Sequence, residues 1–282
     1  MPNDAVETPT PLPRAVGFTT ELALVQFDGV VQSRADYWVV RTPSSPHFYW
    51  GNLLLFRRAP RGEADAREWL AAFERELAHT EVGHCLLAWD SPGERGDTAP
   101  FLARGFELDE GVILTAHQVH PPLHPNEALE VRPLSGDAEW AEAVILQTRA
   151  FSEHSKDAAA TARFAQAQMA RYRKMVEAGW GVWWGGFLDG RLAGTLGLFS
   201  AHGLSRFQLV GTHPEFRKRG VAGTLVYEVS RRALASGGIQ RLVMAADATY
   251  HAARVYTSVG FEPTEKLYAV LKVPGRRETA PS

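Results

Sequence analysis

The chain has 282 residues, of which 45% are hydrophobic and 22% are charged, a composition typical of a folded globular protein and unlike that of a disordered chain or a coiled coil. Its net charge of −2 lacks the positive excess that a protein needs to follow a phosphate backbone, which argues against generic nucleic-acid binding. The single cysteine excludes an internal disulfide and a cysteine-based structural zinc site.

The length predicts two domains, because a single hydrophobic core usually stops growing near ~250–300 residues. Both ends of the chain are polar and contain prolines, so residues 1–14 and 274–282 are predicted to be flexible tails. The most linker-like interior stretch is 119–127, which has three prolines in five residues. We therefore expect one domain at 15–118 and a second at 128–273.

No apolar stretch approaches the ~20 residues that span a bilayer, and residues 1–4 do not start a secretion signal. We therefore expect a cytoplasmic protein that does not bind membranes, either a monomer or a homodimer. Cys85 begins the apolar run 85–89, which predicts a small buried side chain rather than a nucleophile.

Hydrophobic periodicity and turn residues predict the elements from the end of the first half onward. In chain order they are a strand at 111–116, a strand at 129–134, helices at 138–151 and 157–178, a β-hairpin of 182–188 and 192–199, a strand at 207–212, an amphipathic helix at 221–236, a buried strand at 242–246, a helix at 251–259 and a last strand at 266–273. This order predicts an α/β fold with a central mixed sheet covered by helices.

The stretch 213–224 contains a basic, glycine-containing loop between a strand and a helix. The amides of a first helical turn have no intrahelical partner and carry the positive end of the helix dipole, so they favour an anion. Gly220, Ala222 and Gly223 have no bulky side chains and would let a phosphate reach the backbone, while the cationic run 217–219 would add countercharge. An ordinary helix start with a solvated basic turn is the alternative. The two better-known phosphate-loop patterns are absent from the sequence.

A second pattern, Tyr-x-x-x-Gly-Phe at 256–261, follows further along the chain. Together with the Arg-x-x-Gly-x-Ala pattern at 217–222, it resembles the acetyl-CoA-binding signature of the GCN5-related N-acetyltransferase (GNAT) superfamily. The order of strands and helices is also similar to that of the family, so the resemblance covers about 128–273. One position departs from the pattern, because many members carry an asparagine where this chain has Thr249.

The resemblance implies acetyl-CoA as cofactor and transfer of an acetyl group to an amine. Backbone groups at the strand end would pair with the pantetheine arm: Val210, Gly211 and Thr212. The loop and the first helical turn would hold the pyrophosphate: Arg217, Lys218, Arg219, Gly220, Val221, Ala222, Gly223 and Thr224. Tyr256 would lie near the thioester sulfur, where a phenol can protonate the departing thiolate. A packed helix aromatic is the alternative for this tyrosine.

Acetyl transfer to an amine needs a neutral nucleophile, which is usually obtained with a carboxylate or a histidine as general base. The candidates are Glu153, His154, His213 and Asp247, although solvated loop positions explain the first two better. The acceptor is predicted to be a primary amine of a small molecule or a peptide, attacked directly in a ternary complex, and no metal is implied. A non-catalytic acyl-CoA-binding module and a transferase for longer acyl groups are the alternatives.

An internal repeat relates the two halves of the chain. Residues 101–107, Phe-Leu-Ala-Arg-Gly-Phe-Glu, mirror 256–262, Tyr-Thr-Ser-Val-Gly-Phe-Glu. The same register predicts a strand at 49–56 and an amphipathic helix at 69–77 in the first half. The first half is therefore expected to be a second GNAT-like domain, with an unrelated α/β cap as the alternative.

The first half lacks two features of the predicted cofactor site. In the shared register its phosphate loop falls at 60–65, where Glu63 and Asp65 place carboxylates at the anion position, which electrostatic repulsion disfavours. Its tyrosine position is Phe101, which cannot donate a proton. We therefore expect this domain to be degenerate and without catalysis of its own.

Overall fold

The computed structural model describes residues 11–152, 158–247 and 252–273. Its helices and strands, in chain order, are α1 (Val16–Val25), β1 (Val30–Ser33), β2 (Tyr37–Arg41), β3 (Leu53–Phe56), α2 (Glu63–Leu77), β4 (Cys85–Trp89), α3 (Ala99–Leu102), β5 (Glu107–Ala116), β6 (Glu130–Pro133), α4 (Gly136–Ser152), α5 (Ala158–Glu177), β7 (Gly181–Leu188), β8 (Arg191–Ala201), β9 (Leu204–Thr212), α6 (Val221–Ala235), β10 (Arg241–Asp247), α7 (Ala252–Thr257) and β11 (Glu262–Lys272).

The chain divides into two compact units, and the division is not collinear with the sequence. Unit 1 combines the chain up to Val112 with the segment from Glu265 onward, and unit 2 is Ile113–Thr264. The predicted linker at 119–127 therefore lies inside unit 2. The last strand was expected in the C-terminal domain, whereas most of β11 lies in unit 1, because it pairs with β4 there.

Unit 1 is built on a mixed sheet in which β1, β2, β3, β4 and β11 are neighbours in that order. Its strand pairs are antiparallel except for the parallel pair of β3 and β4. Its core is aromatic: Trp69 stacks on Phe56 with ring centroids 3.8 Å apart, and Trp89 stacks on Tyr268 of β11. The last strand of the chain thus completes the core of unit 1.

Helix α1 is apolar on nearly all sides and almost entirely buried within unit 1. Its N-cap residue, Ala15, has no side chain that could bind the free amides of the first turn. Carboxylates distant in sequence do so instead, since Asp90 accepts from the amide of Ala15 at 2.9 Å and Glu265 accepts from that of Val16 at 2.8 Å. Such contacts satisfy the helix start and favour its dipole.

Unit 2 repeats the same pattern of strand directions. Strands β6, β7, β8 and β9 pair in antiparallel order, and β10 pairs with β9 in parallel. The hairpin of β7 and β8 turns at Asp189 and Gly190, whose φ angles of 50° and 74° are those of a type I′ turn. This confirms the predicted hairpin and, with the sheet order, the predicted α/β fold.

Helices cover both faces of the unit 2 sheet. On one face, Tyr172 of α5 packs its ring 5.1 Å from that of Trp183 in β7. On the other face, α6 approaches β8 so closely that a Cβ at Gly194 would lie 2.9 Å from Val221. The buried residues of α6 include Val221, Leu225 and Val229, the four-residue spacing from which the amphipathic helix was predicted.

Residues 16–41 form α1, β1 and β2, which the sequence patterns did not predict. The strand predicted from 49 begins later, because Tyr49–Gly51 forms a turn of 3-10 helix and β3 covers only Leu53–Phe56. Helix α2 begins at Glu63, earlier than the predicted 69. None of the helices within the described ranges is both long enough and apolar enough to cross a membrane.

Candidate functional site

The parallel pair of β9 and β10 opens partway along its length. Three pairs join the strands, the last of them between Arg206 and Val243. Strand β9 continues to Thr212, and residues 207–212 have no partner in the described part of β10. Their backbone groups on this edge are left to bind something other than β10. Val210, Gly211 and Thr212, the predicted pantetheine contacts, lie on this open edge.

An irregularity in β9 accompanies the opening. The register between β8 and β9 shifts after Thr195, and Leu209 takes a left-handed φ of 48°. Helix α4 holds this bulge, because Gln147 donates from Nε2 to the Leu209 carbonyl at 2.6 Å. Gly211 permits the approach, since a Cβ there would lie 2.8 Å from Gln147. Gln147 is only 2% exposed, and sequence reasoning missed it because no local motif marks its partner.

Beyond β9, the chain makes a short 3-10 turn at Pro214–Phe216 and then starts α6 at Val221. The N-cap residue Gly220 has a φ of 74°, a left-handed conformation that favours glycine. Within the described residues, no acceptor is found for the amides of residues 219–223, as expected for a helix start without a side-chain cap. The first turn carries no acidic side chain, so this helix start is suited to an anion.

The charged side chains around this loop are mostly cationic and solvent-exposed. Arg217, Lys218 and Arg219 are all exposed. The nearby carboxylate of Glu215 is paired with Arg191, whose Nη2 lies 2.6 Å from Oε2. Because this hydrogen bond and its charge favour the ionised form, they lower the pKa of Glu215. The loop thus presents net positive charge.

A segment from the predicted linker, residues 122–126, packs against the back of this loop, and we call it the strap. A Cβ at Gly220 would lie 2.5 Å from the His124 carbonyl, and one at Gly223 would lie 3.2 Å from Pro122. Asn126 donates to the Arg219 carbonyl at 2.8 Å. The strap is therefore a packed part of unit 2, and Gly220 and Gly223 are the residues that allow its approach.

Thr224 differs from the other predicted pyrophosphate contacts. Its amide already donates to the Gly220 carbonyl at 3.0 Å, as the first hydrogen bond of α6. Its hydroxyl accepts from the Asn126 amide at 2.8 Å. Thr224 thus binds the helix and the strap, and a contact of its amide with an anion would require that helical hydrogen bond to be shared.

Tyr256 lies on α7 and is 6% exposed. Its carbonyl accepts from the Phe261 amide at 3.1 Å, after Gly260 has ended the helix with a φ of 105°. The Phe261 ring lies 6.4 Å from that of Tyr256 and 5.8 Å from that of Phe207. This chain of rings connects Tyr256 to the point at which β9 leaves β10.

Of the four candidate general bases, His213 is the one whose side chain the structure describes. His213 lies at the end of β9, and its Nε2 is 2.9 Å from Nη1 of Arg149. A guanidinium only donates, so this contact engages the lone pair that a general base would need. Glu153, His154 and Thr249 lie outside the described residues, and so does the side chain of Asp247.

The family comparison agrees with this geometry. The model of the acetyltransferase (GNAT) family matches residues 142–261, which contain the open strand, the loop and Tyr256. Residues 142–261 form a GNAT-family acetyltransferase domain. The protein is accordingly an acyltransferase, and acyl-CoA-dependent acetyl transfer is the general reaction of this family.

Solved structures show how far the likeness of fold extends. A conserved protein of unknown function from Staphylococcus epidermidis has a TM-score of 0.68 at 13% identity, over 87% of this chain and 94% of its own. A GCN5-related N-acetyltransferase from Kribbella flavida has a TM-score of 0.62 at 15% identity, over 90% and 93%. A tandem GNAT protein from the clavulanic acid biosynthesis pathway has 0.54 at 16% identity, over 95% and 91%. Comparison with curated protein sequences gave no match.

These likenesses extend over both halves of the chain, and the fold comprises two GNAT-like domains. In unit 1, however, the equivalent parallel strands do not separate. Strands β3 and β4 stay paired through Phe56 and Trp89, and the Asp90 amide donates to the Phe56 carbonyl at 2.7 Å. Phe101, at the tyrosine position, is fully buried in the aromatic core. Unit 1 therefore lacks the open edge found in unit 2.

The first turn of α2 in unit 1 contains a carboxylate of the chain itself, that of Asp65. Gly62 is the N-cap of α2, with a φ of 124°. Asp65 accepts from the Arg61 amide at 2.7 Å and from Nη2 of Arg58 at 2.8 Å. The Arg58 hydrogen bond is the main cause that lowers the pKa of Asp65. Glu63 instead pairs with Arg104. An added phosphate would meet Asp65 at this helix start.

Burial raises the pKa of the Cys85 thiol to about 12. A thiol with such a pKa stays protonated at neutral pH and is a poor nucleophile. Cys85 is half-buried and packs against the core of unit 1, so it serves packing as predicted but is less buried than predicted.

Proposed function

We propose that the protein uses acetyl-CoA to acetylate a primary amine of a small molecule or a peptide, by direct attack in a ternary complex. The observation that carries this proposal is the continuity of two features in one segment. The open edge of β9, at 207–212, leads directly into the loop whose amides at 219–223 have no acceptor among the described residues. Such an arrangement fits an extended ligand that ends in a negatively charged group.

Each part of this segment fits one part of coenzyme A. The backbone groups of Val210, Gly211 and Thr212 would bind the amide-bearing pantetheine arm in the manner of an added strand. The amides of the first α6 turn would hold the pyrophosphate, as helix starts hold anions. The exposed cations at 217–219 would balance its charge. When bound, acetyl-CoA supplies the activated acyl thioester.

Tyr256 is the group proposed to donate a proton at the sulfur. Its hydroxyl suits this role, because a phenol can give up its proton to a departing thiolate and regain it from solvent. Its support is positional, since α7 is connected through Phe261 to the residue at which β9 opens. Because Arg149 engages His213, we do not assign His213 as the base.

The test measures binding and chemistry separately on the purified full chain. Calorimetry with coenzyme A should show one site, and thiol release from acetyl-CoA should accelerate with at least one member of a panel of amines, amino acids and peptides. Binding without thiol release on any amine would support a non-catalytic acyl-CoA module instead. Release with a longer acyl-CoA but not with acetyl-CoA would support a different donor. No affinity for coenzyme A would refute the proposed function.

A further inference from the structure

The strap makes a directional contact with the loop proposed to hold the pyrophosphate. Asn126 donates from Nδ2 to the Arg219 carbonyl at 2.8 Å, and its backbone amide donates to Thr224 Oγ1 at 2.8 Å. Its own Oδ1 accepts from the Ala128 amide at 3.2 Å, which fixes the orientation of the side-chain amide. Asn126 therefore spans the helix start, from the residue before Gly220 to one turn into α6.

The contact with Arg219 orients the next amide. A trans peptide is planar, and its C=O and N–H point in opposite directions. Because Asn126 binds the Arg219 carbonyl, the N–H of Gly220 in the same peptide points away from the strap. Its direction is thereby fixed, next to the amides of residues 221–223, for which no acceptor is found among the described residues. Helix α6 has no side-chain cap of its own, so an external residue provides this restraint.

The loop has two reasons to need such a restraint. Lys218 takes a left-handed φ of 59°, which is unfavourable for a residue other than glycine. Three neighbouring cations, Arg217, Lys218 and Arg219, also repel one another. Strained conformations persist where contacts with the surrounding structure hold them in place. The strap supplies such a contact, through Asn126, to the Arg219–Gly220 peptide next to Lys218.

We infer that Asn126 is a positioning residue for the pyrophosphate of the acyl donor, an inference that rests on the proposed function. It acts through the Arg219–Gly220 peptide and does not touch the donor itself. The residue type suits the task, because one side chain must donate to Arg219 and accept from Ala128. An aspartate would keep the acceptor but present an oxygen to the Arg219 carbonyl.

The experiment compares Asn126→Ala and Asn126→Asp with the wild type. Calorimetry should show a Kd for coenzyme A about tenfold higher in Asn126→Ala, equivalent to about 1.4 kcal/mol, and higher still in Asn126→Asp. The kcat at saturating acetyl-CoA should stay within about twofold of the wild type, since a tenfold weaker ground-state contact leaves the bound complex intact. Leu123→Ala is the matched control, because Leu123 lies in the same strap but is 84% exposed.

A second donor separates positioning from general damage. S-acetylpantetheine carries the same thioester but no pyrophosphate, so its kcat/KM should be equal in the wild type and the Asn126 variants. An equal loss of kcat/KM with both donors, or an unchanged Kd for coenzyme A, would overturn the inference while leaving the proposed function standing. A wild-type protein without affinity for coenzyme A would overturn both.

Discussion

Replacement of Ala222 by aspartate tests the anion site with little risk to the fold. Ala222 is the second residue of α6 and already has a Cβ, so the change adds only a carboxylate. The substitution is cleaner than one at Gly220, whose added Cβ would lie 2.5 Å from the His124 carbonyl. Helix α2 shows that such a turn tolerates an acidic residue, since Asp65 lies in its first turn.

Ala222→Asp should stabilise helix α6 slightly and weaken the binding of coenzyme A. An acidic side chain in a first helical turn stabilises the helix by about 0.3–1 kcal/mol. Against a bound phosphate, two unit charges about 5 Å apart repel by about 3 kcal/mol at an effective dielectric of about 20. Ala222 is half-buried, so solvent and salt weaken the repulsion. We therefore expect the binding free energy of coenzyme A to weaken by about 1.4–2.8 kcal/mol, which raises the Kd for coenzyme A 10- to 100-fold.

The assay is calorimetric titration of coenzyme A into the wild type, Ala222→Asp and the matched control Ala222→Asn, which has the same shape without the charge. The control should bind more tightly than the aspartate variant, and the gap should narrow in 1 M salt, where the Debye length falls to about 3 Å. Thermal unfolding should show that the charge of the aspartate variant does not lower its Tm relative to that of the asparagine variant. Equal affinities of the aspartate and asparagine variants at low salt would refute the assignment of the anion to this helix start.

Two further predictions address other parts of the chain. Tyr256→Phe should lower kcat by about 100-fold or more with no change in the Kd for coenzyme A. The control Tyr227→Phe should leave both kcat and Kd unchanged. A wild-type kcat in Tyr256→Phe would exclude proton donation by Tyr256. The pKa of Asp65 is lowered in the folded state, so its stabilisation is complete above the unfolded pKa of about 3.9 and is lost as the pH falls through the folded pKa. Asp65→Asn should therefore lower the free energy of unfolding by about 1–3 kcal/mol at pH 7 and by progressively less as the pH falls below about 3.9. Urea unfolding over this pH range measures the difference, and a pH-independent difference would contradict the prediction.

The loop and the helix after it could be predicted because their signals are local. Small residues at 220, 222 and 223 and the four-residue spacing of Val221, Leu225 and Val229 lie within one short segment. The turn of the β7–β8 hairpin was equally local, since Asp189 and Gly190 tolerate the positive φ angles that a type I′ turn requires. These predictions needed no knowledge of the rest of the chain.

The opening of β9 could not be predicted in the same way. The left-handed residue at the bulge is Leu209 rather than a glycine, and its carbonyl is bound by Gln147, 62 positions earlier in the chain. Neither a leucine nor a glutamine indicates such a role in a sequence. The prolines of the strap likewise indicate a linker. Its packing could not be predicted, because it depends on the bare backbones of Gly220 and Gly223, which are distant in the sequence.

The destination of β11 is a third feature that a pattern cannot reveal. Its apolar run indicates a buried strand but not which strand it will pair with. In the structure, Tyr268 pairs with Trp89 and Val270 with Leu87, so β11 completes the sheet of unit 1. Residues 265–272 thus follow the signature at 256–261 in sequence but fold with the other half of the chain.

The two helix starts show how one backbone device serves two purposes. Gly62 and Gly220 both occupy the N-cap with a positive φ, and both are followed by a helix after a strand of a parallel pair. At α2, Asp65 accepts from the nearby Arg61 amide, and strands β3 and β4 remain closed. At α6, the first turn has no acidic residue, and β9 has parted from β10. The carboxylate at the start of α2 belongs to the chain and is always present. The start of α6 would gain an anion only when a ligand binds. Under the proposed function, the two units differ at this position in whether the anion belongs to the chain or to a ligand.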